Sequence, residues 1–357
     1  MIYNIKKFHL VSICLLLTAL IFHVNSIYSK ADFNITKDYM KYLTKYVPPF
    51  IEEVRYSPEN PTPDDEIEIR ARIMKFKGTR EEESVPVSEA ILYYSTDTWK
   101  TEEEVDMEES DQENIWTATI PALEQQGEIA YRIKALDEEN NVSMELPLPV
   151  NEEKTEGDET KENDKSLYTS YTLTEVTKDE DDPDREIPPL LDILSLQFGY
   201  SERYYYFRIT YEATPDQGTI TPINANAYVL ALLNTRPVPS LEIVRYAWAW
   251  FYAPLAEFAP PLPEIGKIPG VSLFHVKPEN LRKPIFETQG FDYKIDGNIL
   301  NLRIDRNFLS ETPSDTLLFV TANGSLFGSD FSNVKFRMGD FSPTVLVYMR
   351  DHRISVE

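Results

Sequence analysis

The segment 190-LLDILSLQFGYSERYYYFRITY-211 decides how the rest of the chain is read. Tyr205, Phe207, Ile209 and Tyr211 recur at every second position, with Tyr204, Tyr206, Arg208 and Thr210 between them. Successive strand side chains point to opposite faces, so this spacing predicts a strand with one buried face. Leu194, Leu196 and Phe198 alternate in the same way upstream, and Gly199 to Glu202 is short enough to close a hairpin between the two runs. An antiparallel sheet is expected here.

On the N-terminal side of that hairpin lie Asp181, Asp182, Asp184 and Glu186, with Asp192 entering the strand. Carboxylates gathered within a dozen residues are the hard oxygen donors that calcium takes. The spacing is not that of an EF-hand, since its glycine and terminal glutamate are missing. Two readings stay open: a structural calcium that pins the preceding linker to the next domain, and a solvated charge run.

The first 31 residues set the context. Lys6 and Lys7 precede an apolar run from Leu10 to Val24, and small and polar residues end at Ser29-Lys30-Ala31. That is the layout of a secretion signal cut after Ala31, with an uncleaved N-terminal anchor as the alternative, although the apolar run is shorter than the roughly 20 residues of a membrane span. The expected location is secreted, periplasmic or cell surface, with no membrane span after cleavage. Cys14, the chain's one cysteine, leaves with the signal, so the mature chain forms no disulfide and core burial must stabilise it. The signal takes three lysines and no acid, which makes a chain of net charge -25 more acidic still and argues against nucleic acid as a partner.

Twenty-five prolines, twelve glycines and 21 tyrosines describe a strand-rich chain. The expected fold is all-β, with two β-sandwich domains joined by an acidic linker. The divisions are a signal at 1–31, a leader at 32–46, a first sandwich at 47–149, a linker at 150–181 and a larger sandwich at 182–357. In the first sandwich Ile51 and Val54 read as an opening strand. Ile67, Ile69, Ala71 and Ile73 then alternate with Glu68, Arg70 and Arg72, and further short strands follow at sandwich spacing. Residues 151–165 hold seven acids and no large apolar side chain, too little to offset the entropy of ordering them. In the larger sandwich Asp296-Gly297 marks a hairpin between Phe291–Ile295 and Asn298–Ile304.

Two resemblances follow from these stretches. PPFIEEVRYSPENPTPDDEIEIRARI, LYYSTDTWK and WTATIPALEQQGEIAYRIKALDEENN resemble the Ig-like or fibronectin type III-like modules of secreted bacterial proteins. That likeness implies a fold and no activity. LDILSLQFGYSERYYYFRI, NAYVLALLNT and NILNLRIDRNFL resemble the DOMON-like, carbohydrate-binding-module-9-like sandwiches of exported bacterial proteins. This second likeness implies a binding domain, with sugars or haem as ligands in some relatives. Haem would usually want His or Met axial ligands, and after the signal only His275 and His352 remain as histidines.

Tyr246, Trp248, Trp250 and Tyr252 share one face if Val244 to Ala253 is a strand, with alanines and Phe251 on the other. Flat aromatics in a row can stack on sugar rings, and the alternative is that they fill the sandwich core, whose energetics large aromatics dominate. Trp99 and Trp116 are expected in the first core. No Gly-x-Ser-x-Gly, phosphate loop, His-Glu-x-x-His or dinucleotide fingerprint is present, so a non-enzyme is expected. The resulting expectation is an exported binding protein, with carbohydrate or a cell-surface protein as partner and calcium as the candidate cofactor. The alternative is a structural or adhesive cell-envelope protein with no small-molecule ligand.

Overall fold

The computed structural model describes residues 47–75, 86–123, 125–147, 173–178, 187–216, 218–219, 223–235, 244–255, 269–276, 285–310, 315–328 and 334–357. The expected signal, the leader and most of the acidic linker lie outside these residues. The chain is all-β. The strands of the first half are β1 (Phe50–Ser57), β2 (Ile67–Met74), β3 (Val87–Ser95), β4 (Glu103–Asp106), β5 (Glu108–Glu109), β6 (Ile115–Ile120), β7 (Gly127–Asp137) and β8 (Val142–Glu145). Next come β9 (Thr174–Lys178), β10 (Ile193–Tyr200), β11 (Tyr204–Tyr211), β12 (Gly218–Thr219), β13 (Ile223–Thr235), β14 (Val244–Tyr252) and β15 (Val271–Val276). β16 (Ile285–Glu287), β17 (Phe291–Asp296), β18 (Ile299–Asp305), a one-turn helix α1 (Arg306–Leu309), β19 (Thr316–Gly328), β20 (Val334–Phe341), β21 (Val345–Tyr348) and β22 (His352–Val356) complete the order.

Three sheets result. One has the order β1-β2-β6-β5 and another β17-β18-β11-β10-β9. The third has 13 strands along the path β16-β15-β14-β13-β19-β21-β8-β7-β3-β4, with β12, β20 and β22 off that path. Each of the two smaller sheets packs on a part of the large one, giving two cores.

The alternation that predicted β11 holds: Tyr205, Phe207, Ile209 and Tyr211 are all buried in the second core. In β10 the expectation is corrected at one position. The register slips between Ile193 and Ser195, so Leu194 is the extra residue of a bulge and Ile193 takes the buried place. The Asp296-Gly297 hairpin forms one residue later than expected. Asp296 pairs with Ile299, and Gly297 sits at φ +60°, a backbone that a side chain would strain. β9 lies within the stretch expected as linker and is the edge strand beside β10. Trp116 is in the first core, but Trp99 is not: it sits half-buried on a loop with the Arg132 guanidinium 5.5 Å over its ring.

The two cores meet along a seam of two strands. β21 runs parallel to β8, with Val345 opposite Val142 and Tyr348 opposite Glu145, and it bonds β19 on its other side. Every residue of both strands is buried. Period-two alternation then divides their side chains. Val345 and Val347 enter the second core, while Leu346 and Tyr348 enter the first. From β8, Val142 and Met144 enter the second core. On its other face Ser143 donates to the Pro49 carbonyl, and Glu145 accepts from the Ile133 amide. β22 then pairs with β7, from His352 opposite Tyr131 to Val356 opposite Gly127. The chain's last strand, placed by sequence in the second sandwich, therefore lies in the first sandwich's part of the sheet.

Candidate functional site

The aromatic row is the first candidate. β14 lies between β13 and β15, with Trp250 opposite Leu230 on one side and Leu273 on the other. A central strand has neighbours on both edges, so its side chains can reach only the space above and below the sheet. The row faces the inner side. Trp250 is 0% exposed, and its ring lies 5.8 Å from Tyr293 and 6.0 Å from Tyr252. Trp248 is 8% exposed, donates from Nε1 to the Leu309 carbonyl at 3.0 Å, and stacks on His275 at 4.2 Å. Tyr252 is half-buried between Tyr228 and Tyr293. The side chain of Tyr246 lies outside the described residues. The rings of Trp248, Trp250 and Tyr252 thus fill the space between the sheets, and for these three the core-packing alternative is the arrangement present. On the opposite face Ala249 and Phe274 form a small cluster with Val229, Phe251 and Phe286.

The candidate calcium ligands Asp181, Asp182, Asp184 and Glu186 lie outside the described residues. Asp192 is half-buried at the start of β10, where its carbonyl accepts from the Glu212 amide at 3.0 Å. Among the described residues no three His, Cys, Asp or Glu side chains gather closely enough to hold a metal ion. Among them, too, no helix is long and apolar enough to cross a membrane.

His352 holds the end of the chain in place. Its Nε2 is 2.9 Å from Oε1 of the fully buried Glu145, and its ring stacks on Tyr131 at 5.0 Å. Arg350 approaches the same carboxylate at 3.7 Å and covers the Tyr348 ring at 4.3 Å. The Tyr348 hydroxyl accepts from the Ile51 amide at 3.1 Å, and burial pushes its ionisation well above the usual tyrosine range. Arg350 also donates to the Ile51 carbonyl at 3.3 Å, so the contacts at this junction tie β22, β8 and β1 together.

A polar cleft that sequence reading missed opens on the wet side of β1, β2 and β6. It has a volume of about 450 Å³ and is lined by Glu53, Arg55, Tyr56, Ser57, Glu68, Arg70 and Ile115. β1 is bulged between Glu52 and Arg55: Glu52 faces Arg72, and Arg55 faces Arg70. Three residues on β1 therefore span what two span on β2. Glu53 sits at φ +48° in the left-handed region that L side chains disfavour. Its carboxylate is 3.3 Å from Arg72, and Arg70 donates to the Gln112 side chain. The signal was present in sequence as the spacing of three between Ile51 and Val54, which period two cannot accommodate.

No family model matches the chain, and no curated protein matches it in sequence. Among solved structures it is similar to a cycloalternan-degrading enzyme from Trueperella pyogenes in complex with a covalent intermediate. The identity is 9% and the TM-score 0.19, over 84% of this chain and 34% of that one. It is also similar to the FN1-FN3 domains of chicken CNTN1, at 12% identity and TM-score 0.17, over 85% of this chain and 67% of that one. A third similarity is to trypsin-activated alpha-2-macroglobulin from Escherichia coli, at 10% identity and TM-score 0.19, covering 88% of this chain. The chain spans about a third of the length of the enzyme and about a fifth of that of the macroglobulin.

Proposed function

We propose that this chain is an exported, non-catalytic protein of the cell envelope in which two β-sandwiches act as one stiff unit for contact with another protein. The seam carries the proposal. β8 and β21 are buried on both faces and each contributes side chains to the second core, while β21 also feeds the first. Full burial of a Val, Leu or Tyr-sized side chain contributes about 1.5–3 kcal/mol, so the two sandwiches hold one another by several such terms. A hinge would need exposed backbone at the joint, and here the backbone bonds lie inside a continuous sheet. Export rests on the first 31 residues.

The second reading is sugar binding by the larger sandwich, which the DOMON-like resemblance favours. The packing of Trp248 and Trp250 weighs against it, because a ring without an open face has nothing to offer a sugar.

Native-state hydrogen exchange tests the unit. The amides of Ile69 in the first core and Leu230 in the second are expected to open with the same free energy, and to lose protection together in Val347→Ala. Two separate openings would overturn the stiff-unit reading. Tryptophan fluorescence is expected to stay silent through an oligosaccharide panel. A sugar-dependent change abolished in a still-folded Trp250→Phe would restore the sugar-binding reading.

A further inference from the structure

The geometry points to the cleft between β1 and β2 as a carboxylate-binding site for an extended partner peptide of mixed charge, gripped by Arg55 and Arg70. The inference rests on the protein-contact reading and names the chemistry of the partner. Its first support is an arrangement that costs stability when empty. Arg55 and Arg70 are directly opposed across the strand pair, with Arg72 one pair further along, in a chain of net charge -25. Like charges in direct cross-strand opposition repel. Arg72 is offset by Glu53, and among the described residues Arg70 reaches only the neutral amide of Gln112. The exposed side chain of Arg55 has no hydrogen-bond or ion-pair partner among the described residues.

The second support is how Arg55 comes to be there. In unbroken register from Glu52 opposite Arg72, Val54 would face Arg70, and Arg55 would face Ile69 and point into the core. The bulge at Glu53 turns Arg55 outward, at the cost of a left-handed backbone on a non-glycine residue. Bulges commonly re-aim a side chain beside a site, and backbone strain persists where the surroundings hold it for a use. Strain and charge repulsion at one spot, beside an open cleft, are the local rule-breaking expected of a binding site.

The lining selects the ligand. A guanidinium presents a planar fork that matches a carboxylate, and two of them can hold both its oxygens. Glu53 and Glu68 on the same cleft repel a polyanion and a doubly charged phosphate, and they attract a cation placed next to the bound carboxylate. Tyr56 and Ile115 supply apolar surface. A peptide in which acidic and basic residues alternate meets all three demands. Among the described residues β1 is also the terminal strand of its sheet, and past Ile51, whose amide and carbonyl bond Tyr348 and Arg350, an extended segment can lie along it.

The test is a calorimetric titration of the full chain with a short peptide of alternating glutamate and lysine, in low salt. Control peptides replace glutamate by glutamine, and oligogalacturonate and inorganic phosphate serve as the other anions. Binding of the Glu/Lys peptide alone is expected, weakened about tenfold or more by Arg55→Gln and abolished by the Arg55→Gln/Arg70→Gln pair. Circular dichroism must show both variants folded. Equal binding by the glutamine control, undiminished binding to the folded double variant, or no binding of the Glu/Lys peptide overturns the proposal. Tighter binding of oligogalacturonate or phosphate overturns the peptide assignment. None of these failures touches the hydrogen-exchange test of the stiff unit, so the two readings fall separately.

Discussion

Strands β21 and β1 share the first core and meet at a hydrogen bond from the Ile51 amide to the Tyr348 hydroxyl, and they are built by opposite rules. β21 is Val-Leu-Val-Tyr, buried at all four positions, with no side chain left for anything outside the protein. β1 is buried at Phe50 and Ile51 and then alternates between wet and half-buried, with a bulge where the pattern changes. The difference separates two uses of the same secondary structure. A strand with apolar residues on both faces joins two cores, and a strand with one wet face keeps side chains available for a partner.

The largest effect should come from removing the residue on which the two strands meet. Tyr348→Ala opens a cavity between β1 and β21 and leaves the Ile51 amide without its acceptor. Aromatic truncation in a core costs about 3–5 kcal/mol. Urea denaturation is expected to show that loss, and Tyr348→Phe, which removes only the hydroxyl, a loss of about 1 kcal/mol. If Tyr348→Ala costs less than about 1 kcal/mol, the seam is not what joins the cores.

Next in size is Glu145→Ala. The buried carboxylate accepts from the Ile133 amide and faces His352 and Arg350. Breaking a fully buried ion pair costs about 3–5 kcal/mol. His352 and Arg350 keep some contact with water, so about 2–3 kcal/mol is expected, with loss of amide protection concentrated in β22. Uniform loss across both cores would make Glu145 part of the seam itself rather than the anchor of the last strand.

Much of this architecture was legible in sequence, and the parts that were not share a cause. β11 and β2 alternate because one face is wet, so composition records which residues are inside. β21 has no wet face, and its run of apolar residues says only that it is central, not between which cores. The pairing of β8 with β21 joins residues 142–145 to 345–348, and no local pattern encodes a contact at that distance in the chain. Burial of Trp248 and Trp250 was one of two open readings for the same reason. An aromatic row has the same spacing whether a second sheet or a ligand covers it. The cleft was missed because a bulge is a break in a pattern, here the step from Ile51 to Val54.

Glu53 tests whether that break is a device. Glu53→Val puts a β-branched side chain in the left-handed region and should cost about 1–3 kcal/mol. Glu53→Gly relieves the backbone while losing an exposed ion pair worth at most about 1 kcal/mol, so its midpoint in urea should stay close to that of the parent protein. Smaller again is Arg55→Gln. It removes a like-charge opposition and should raise stability by a few tenths of a kcal/mol. A loss of stability instead would mean that Arg55 supports the fold, and the contrast between β1 and β21 would fail at its most specific point.

The last effect is confined to one pH window and belongs to a half-buried charge that has the partners Arg55 lacks among the described residues. Asp97, on the loop after β3, accepts from the amides of Lys100 and Thr101, the Thr101 hydroxyl and the Ser95 hydroxyl. These donors, the Thr101 amide foremost, lower its carboxyl to about 2 from the usual 3.8. A carboxyl whose folded value is depressed binds fewer protons folded than unfolded. Its contribution is therefore whole above about pH 4 and fades as pH falls through about 2. Carbon-detected NMR should place the Asp97 midpoint near 2, with the Lys100 and Thr101 amides losing protection over that window and Asp97→Asn showing no such dependence. A midpoint near 4 would mean the loop does not hold the carboxylate. Asp97 would then be as unsatisfied as the Arg55 side chain, and the lack of partners around Arg55 among the described residues would no longer mark out the cleft.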